Sequence, residues 1–204
     1  MAQVLDGSQV AFIQQQFNGT TYQPNSMDVQ SEPLYDELTT AAGSTITPGI
    51  AGSQYFANPT GKTYAQTNVL EARKLPAPEA FAVMGIKFYP QPNILLTDWV
   101  NIGANFALEL WIGQKWYNRA PCQFYNAGLG TAGFTTFSSQ SFITNGVPGR
   151  GHAHSLEINI IIDNQASFYG NLSGTATTMT AAGSGGTGSV LYMLLDGLHA
   201  RGVQ

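Results

Sequence analysis

The chain has 204 residues, 43% of them apolar and only 10% charged, with a net charge of −4. That length fits one domain, or one domain carrying long arms, with enough apolar mass for a buried core. Eight scattered Lys and Arg exclude the basic stripe that phosphate neutralisation requires, and a charged share far below the roughly 25% usual for soluble domains points to a surface covered by other chains.

Cys122 is the single cysteine, which excludes an intrachain disulfide and a cysteine-built zinc site; it reads as a small buried apolar residue. The start, MAQVLDGSQV, has no basic stretch followed by an apolar run, so it is not read as a signal peptide. Apolar runs of about five residues fall far short of the roughly eighteen that span a bilayer. The expectation is a soluble chain made in a cytoplasm.

In chain order, residues 1 to about 75 are rich in Gln, Asn, Thr, Ser and Gly. VAFIQQQF (10–17) fits a short helix or a strand. The Pro- and Gly-studded stretch after it cannot supply a core of its own. Tyr22, Leu34, Tyr35, Leu38, Tyr55 and Phe56 give it anchors, so the expectation is an extended arm with pinned points.

From Ala80 the pattern is β. AFAVMGIKFYP (80–90) predicts a strand that ends at a Pro-rich break. In NFALELWIGQKWYNRAP (105–121), Phe106, Leu108, Leu110 and Ile112 share one face and Ala107, Glu109 and Trp111 the other. Gly113-Gln114 predicts the turn of a hairpin. The Gly/Thr/Phe stretch 127–151 reads as long loops around one short strand. SLEINIII (155–162) places Leu156, Ile158, Ile160 and Ile162 inward, Asp163-Asn164-Gln165 reads as a hairpin signal, and ASFYGNL (166–172) follows. A low-complexity linker (173–189) leads to SVLYMLLDG, where Leu191, Met193 and Leu195 share one face and Tyr192 and Leu194 the other. Two apolar faces predict a central or interface strand, with helix as the rival because Leu, Met and Ala favour it. Six or seven strands joined by long loops favour a β-sandwich over an up-and-down barrel.

Motifs of chemistry are weak. TGKT (60–63) has Phe56 where a phosphate-binding loop needs its first glycine, so it reads as a turn. His152 and His154 of GHAH would project from one face of a strand and share a metal, or sit on a solvent-facing loop. Glu109, Glu157 and Asp163 offer a carboxylate pair of glycosidase type or three solvated side chains. Trp111, Trp116, Tyr117, Phe124 and Tyr125 crowd one region, as core and subunit packing requires and as a sugar-stacking platform would.

Three blocks carry a resemblance: LPAPEAFAVMGIKF (75–88), FALELWIGQKWYNRAPCQFYNAGLG (106–130) and LLDGLHARGVQ (194–204). Within them and the stretch they enclose fall Ile112, Gly113, Lys115 and Trp116-Tyr117, then Pro121 and Gly128, then Gly146-Val147-Pro148, and finally Leu195-Asp196-Gly197 and Arg201. Together they resemble jelly-roll coat proteins of tailless icosahedral bacteriophages, especially those with a membrane beneath the shell.

The resemblance implies an all-β fold, a single jelly-roll β-sandwich over residues 76–204 preceded by the arm over 1–75. It implies a capsid subunit of the virion, whose partners are copies of itself, other capsid proteins and a membrane beneath the shell. No nucleic acid, small-molecule substrate, cofactor or catalysis is implied. The candidate subunit-contact residues are Trp111, Trp116, Tyr117, Tyr35 and Tyr55. The rival reading is a receptor- or carbohydrate-binding head of a phage spike or fibre.

Overall fold

The computed structural model of the chain describes residues 27–91, 94–125 and 154–202. VAFIQQQF, Tyr22, the stretch 127–151 with its Gly128 and Gly146-Val147-Pro148, and His152 lie outside the described residues. The elements in order are β1 (Met27–Ser31), β2 (Leu34–Thr40), β3 (Thr45–Ile46), β4 (Gln54–Tyr55), β5 (Ala80–Pro90), helix α1 (Leu96–Asn105), β6 (Phe106–Ile112), β7 (Lys115–Pro121), β8 (His154–Ile162), β9 (Phe168–Gly174), β10 (Thr177–Thr178) and β11 (Ser189–Gly202).

The protein is mostly β, and its two larger sheets face each other across one core in a sandwich-like arrangement. One sheet runs β1-β11-β5-β8, with β2 also on β11; the other runs β4-β9-β6-β7. The apolar end of the chain is the centre of the first sheet. Its 14-residue strand β11 pairs with β5 along one edge, so β2 and β1 share the other edge end to end. Between them sits Glu32-Pro33, and proline brings no N–H to a ladder. Leu191, Met193 and Leu195 are fully buried on the inner face, while Tyr192 and Leu194 are half-buried on the outer one. The helical rival is excluded, because both edges of β11 are taken by backbone pairing.

Apolar alternation drives the packing between sheets. Phe106, Leu108 and Leu110 of β6 and Phe168 and Leu172 of β9 face Phe81, Val83, Ile86 and Phe88 of β5 and the inner row of β11. At Gly170 of β9 a Cβ would lie 2.2 Å from the Met193 sulfur, so a bare backbone there lets Met193 cross the gap. Tyr55 meets Phe88 edge-on with centroids 6.4 Å apart, and Trp99 of α1 stacks on Phe88 at 5.8 Å.

Residues 27–75, expected as an arm, supply two strands of the five-stranded sheet and the core residues Leu34, Leu38, Tyr55, Phe56, Val69 and Leu75. What recruits them is non-local: pairing of β2 with β11 places Leu34 and Leu38 on the inner face. The TGKT stretch is a turn, as expected, closed by Lys62 N donating to the Pro59 carbonyl at 3.1 Å.

Three expectations are corrected, and one element is new. Ile158 is 83% exposed rather than inward, because Val83 pairs with Ile160 while Gly85 pairs with Ser155. Four residues of β8 thus oppose Met84 alone, and the bulge throws Ile158 outward. Asp163-Asn164-Gln165 is not a hairpin turn: β8 belongs to the five-stranded sheet and β9 to the other, so the turn carries the chain across. Its Gln165 adopts φ +60° and donates its amide to the Leu75 carbonyl at 3.1 Å. The stretch 173–189 is no plain linker, since it holds β10, paired with β3, and buries Met179. Asp98, buried in the first turn of α1, accepts from the Thr180 hydroxyl at 2.7 Å and from its amide. Finally, α1 was not among the expected elements, although Trp99, Ile102 and Gly103 have helical spacing and are buried together.

Cys122 is buried, as expected, and loss of hydration pushes its thiol up to about 12. The folded protein is therefore expected to resist a thiol-reactive reagent at mildly alkaline pH and to react fully once denatured. Rapid labelling of the folded chain would contradict this burial.

Candidate subunit interface on the four-stranded sheet

The outward positions of β6, β7 and β9 form two cross-strand rows, and the registers explain why. Trp111 pairs with Trp116 on one side and Tyr169 on the other, giving an aromatic row. Glu109 pairs with Arg119 and Asn171, and Asn171 pairs onward with Gln54 of β4, giving a polar row beside it. Period-two alternation sends these side chains away from the core. Hairpin closure at Gly113-Gln114, as expected, aligns Trp111 with Trp116, and a bulge at Tyr117 then shifts the register so that Glu109 meets Arg119.

Glu109 joins the rows. It is 2% exposed although it lies on the outward face, because its neighbours close over it. Arg119 Nε lies 2.8 Å from one carboxylate oxygen; Trp111 Nε1 donates to the other at 2.6 Å and Asn171 Nδ2 at 3.1 Å. Burial raises the carboxyl, but hydrogen bonds from Ser173, Trp111 and Asn171 and the Arg119 charge outweigh it and hold Glu109 below its ordinary value. Glu109 is thus an ionised clamp with both oxygens engaged, and carries no proton to donate at neutral pH. Glu157 and Asp163 are exposed, on β8 and in the turn after it, and neither bonds to Glu109.

The aromatic row is capped by cations. The Arg119 guanidinium sits 5.2 Å from the Trp116 ring centre and Arg73 lies 5.0 Å from that of Tyr169. Trp111 and Tyr169 are parallel within 4° with centroids 6.0 Å apart. Arg73 in turn donates to Gln54, which closes the far end of the polar row.

Of the five candidate contact residues, three are brought together here. Trp116 and Tyr117 lie on β7, 54% and 51% exposed, and Trp111 is half-buried beside them. Among the described residues β7 pairs only with β6 and forms the edge of its sheet. Tyr35 is elsewhere: it lies half-buried on the outer face of the other sheet, its hydroxyl donating to the Tyr64 carbonyl. It lines an open groove of about 510 Å³ with Tyr89, Tyr192 and Leu194. Tyr55 is corrected to a core residue; with no exposed surface it cannot touch another subunit. Arg119, Glu109, Tyr169 and Arg73 were missed as parts of this face. Glu109 and Tyr169 were legible as outward positions of strands; Arg119 comes to face Glu109 only because the β6–β7 register shifts at Tyr117, and Arg73 reaches Tyr169 only through the tertiary fold.

Lys62 of TGKT is committed elsewhere: its ammonium lies 2.7 Å from Asp36 and donates to the Glu37 carbonyl at 2.6 Å. Comparison with protein-family models, curated proteins and solved structures finds no match for this chain.

Proposed function

We propose that this chain is a structural subunit that works by self-association, a jelly-roll coat protein whose copies build the capsomers of an icosahedral virion. The observation that carries the reading is the edge strand β7, which holds Trp116 and Tyr117 half exposed. Stiff aromatic side chains lose little conformational freedom on burial and are the usual energetic centres of interfaces. Scarce charge elsewhere supports association through apolar and neutral contacts, since few surface ion pairs are there to specify it. The sequence resemblance adds the setting: neighbours would be identical copies, other capsid proteins and a membrane beneath the shell. The carbohydrate-binding alternative fits less well, because Arg119 already covers one face of Trp116 and Arg73 one face of Tyr169. A sugar stacking on those two faces would have to displace both cations.

Light scattering and electron microscopy of the full chain test this. The expected result is defined oligomers or shells at high concentration. Trp116→Ala with Tyr117→Ala should leave the fold intact, because both side chains are exposed, and weaken association by about 30-fold or more, the equivalent of one interface hot spot near 2 kcal/mol. A wild-type chain that stays monomeric at every concentration overturns the proposal.

A further inference from the structure

β1 is lightly held. Asp28, Gln30 and Ser31 are exposed, and Val29 packs on the small patch of Ala80, Ala82 and Ala200. Its other ties are the pairing with Leu198–Gly202 and a charged cluster where it runs into β2. There Glu32 accepts from Arg201 Nη2, and its carboxylate lies 3.8 Å from His199 Nδ1. On the other side of the ring, Nε2 lies 3.1 Å from Glu79, in the segment entering β5. The imidazole is only 6% exposed and meets Phe81 of β5 edge-on at 5.8 Å. Lys74 lines the same cleft of about 220 Å³, and Asp28 stands opposite Arg201 in the register. These are the charged groups that face the ring from β1, the β1–β2 connection, β5 and β11.

The geometry selects a protonation state. Arg201 Nε lies 3.3 Å from His199 Nδ1, and a guanidinium can only donate. Nδ1 must therefore offer a lone pair, so the proton sits on Nε2 and is donated to Glu79. A second proton on Nδ1 would turn that Arg201 contact into two facing cations.

We propose that this cluster is a pH-sensitive clasp: protonation of His199 displaces Arg201, which loosens its hold on Glu32 and frees β1 from β11. The proposal stands apart from the coat-protein reading and survives its failure. Burial holds the His199 ring below its ordinary value, with Glu79 pulling the opposite way. Because the folded value lies below the unfolded 6.5, the clasp contributes fully above that pH. Its contribution is lost as pH falls from there through the folded value.

Hydrogen exchange on the full chain, corrected for the intrinsic pH dependence of amide exchange, tests this at about pH 7.5 and about pH 5.5. Protection of residues 27–31 should fall by about tenfold at the lower pH, while 106–112 of the other sheet stay protected. His199→Gln, which can still donate and accept but does not titrate, should remove that dependence. Unchanged protection of 27–31 in the wild type, or the same pH dependence in His199→Gln, overturns the proposal. Should His199→Gln fail to fold, nitrogen NMR of the wild-type ring decides. A neutral ring protonated on Nδ1 overturns the clasp, and one protonated on Nε2 that titrates below about 6.5 upholds it.

Discussion

Gly197→Ala is expected to be among the most damaging single substitutions in this protein. Gly197 follows the register shift where β11 slips past β5, in the middle of the five-stranded sheet. A Cβ there would lie 1.9 Å from the Ala82 carbonyl oxygen and 2.8 Å from the Phe81 ring. The oxygen belongs to the backbone of the neighbouring strand, so no rotamer change relieves the clash. Either β5 moves away, which breaks ladder hydrogen bonds beside the fully buried Phe81, Ala82 and Val83, or the bulge is lost. Overpacking a core costs about 1–3 kcal/mol, and backbone overlap puts this case at about 3 kcal/mol or above. For a chain of this size that is a fall in Tm of about 10 °C, against a total stability on the order of 5–15 kcal/mol. Thermal unfolding followed by circular dichroism measures it. A Tm within about 2 °C of wild type would show that the two strands separate freely at this point.

Lys62→Met should cost a similar amount, with a distinctive pH signature. Asp36 is 1% exposed on the inner side of β2, where Lys62 lies 2.7 Å away and the Phe56 amide donates at 2.6 Å. Removing one partner of a buried pair leaves an uncompensated charge, at about 3 kcal/mol or more. Burial already raises the Asp36 carboxyl above 3.8, and Lys62 opposes that rise. Without the ammonium the carboxyl rises further. A folded pKa above the unfolded one means the native state binds the proton more tightly, so stability falls as pH climbs from about 3.9 through the folded value. The deficit of Lys62→Met relative to wild type is therefore largest at neutral pH and shrinks as Asp36 becomes protonated. Urea unfolding of both proteins at several pH values checks it, and adding Asp36→Asn should recover much of the loss. A deficit that does not vary with pH would mean that Lys62 matters for packing rather than for charge.

These two sites differ in what the chain reveals about them beforehand. The Leu-Asp-Gly of 195–197 stood out in the sequence, yet nothing local says that the glycine lies against another strand's carbonyl. Lys62 looked like part of a phosphate-binding signature; its partner Asp36 is 26 residues away and meets it only after folding. The candidate interface shows the same divide. Alternation along 105–121 marked Phe106, Leu108 and Leu110 as inward and Glu109 and Trp111 as outward, and the hairpin made the row of Trp116 and Trp111 predictable. Nothing in that stretch implied that an outward glutamate would be sealed under Trp111 and Arg119, or that β9 would add Tyr169 and Asn171.

What the amino-acid sequence determined by itself is the local order: strands at 80–90, 106–112, 115–121 and 190–196, the turn at Gly113-Gln114, and the faces of 106–112 and 191–195. Steric alternation, backbone preference and turn chemistry act over a few residues, so they can be read from a few residues. Only the tertiary structure decided which sheet each strand joins, that β8 and β9 part company, that Ile158 is expelled by a bulge, and that Tyr55 is core rather than contact surface. A period of two specifies a face but not a partner. Partners are chosen by pairing and packing between residues far apart in the chain, where the free energy depends on the whole core at once.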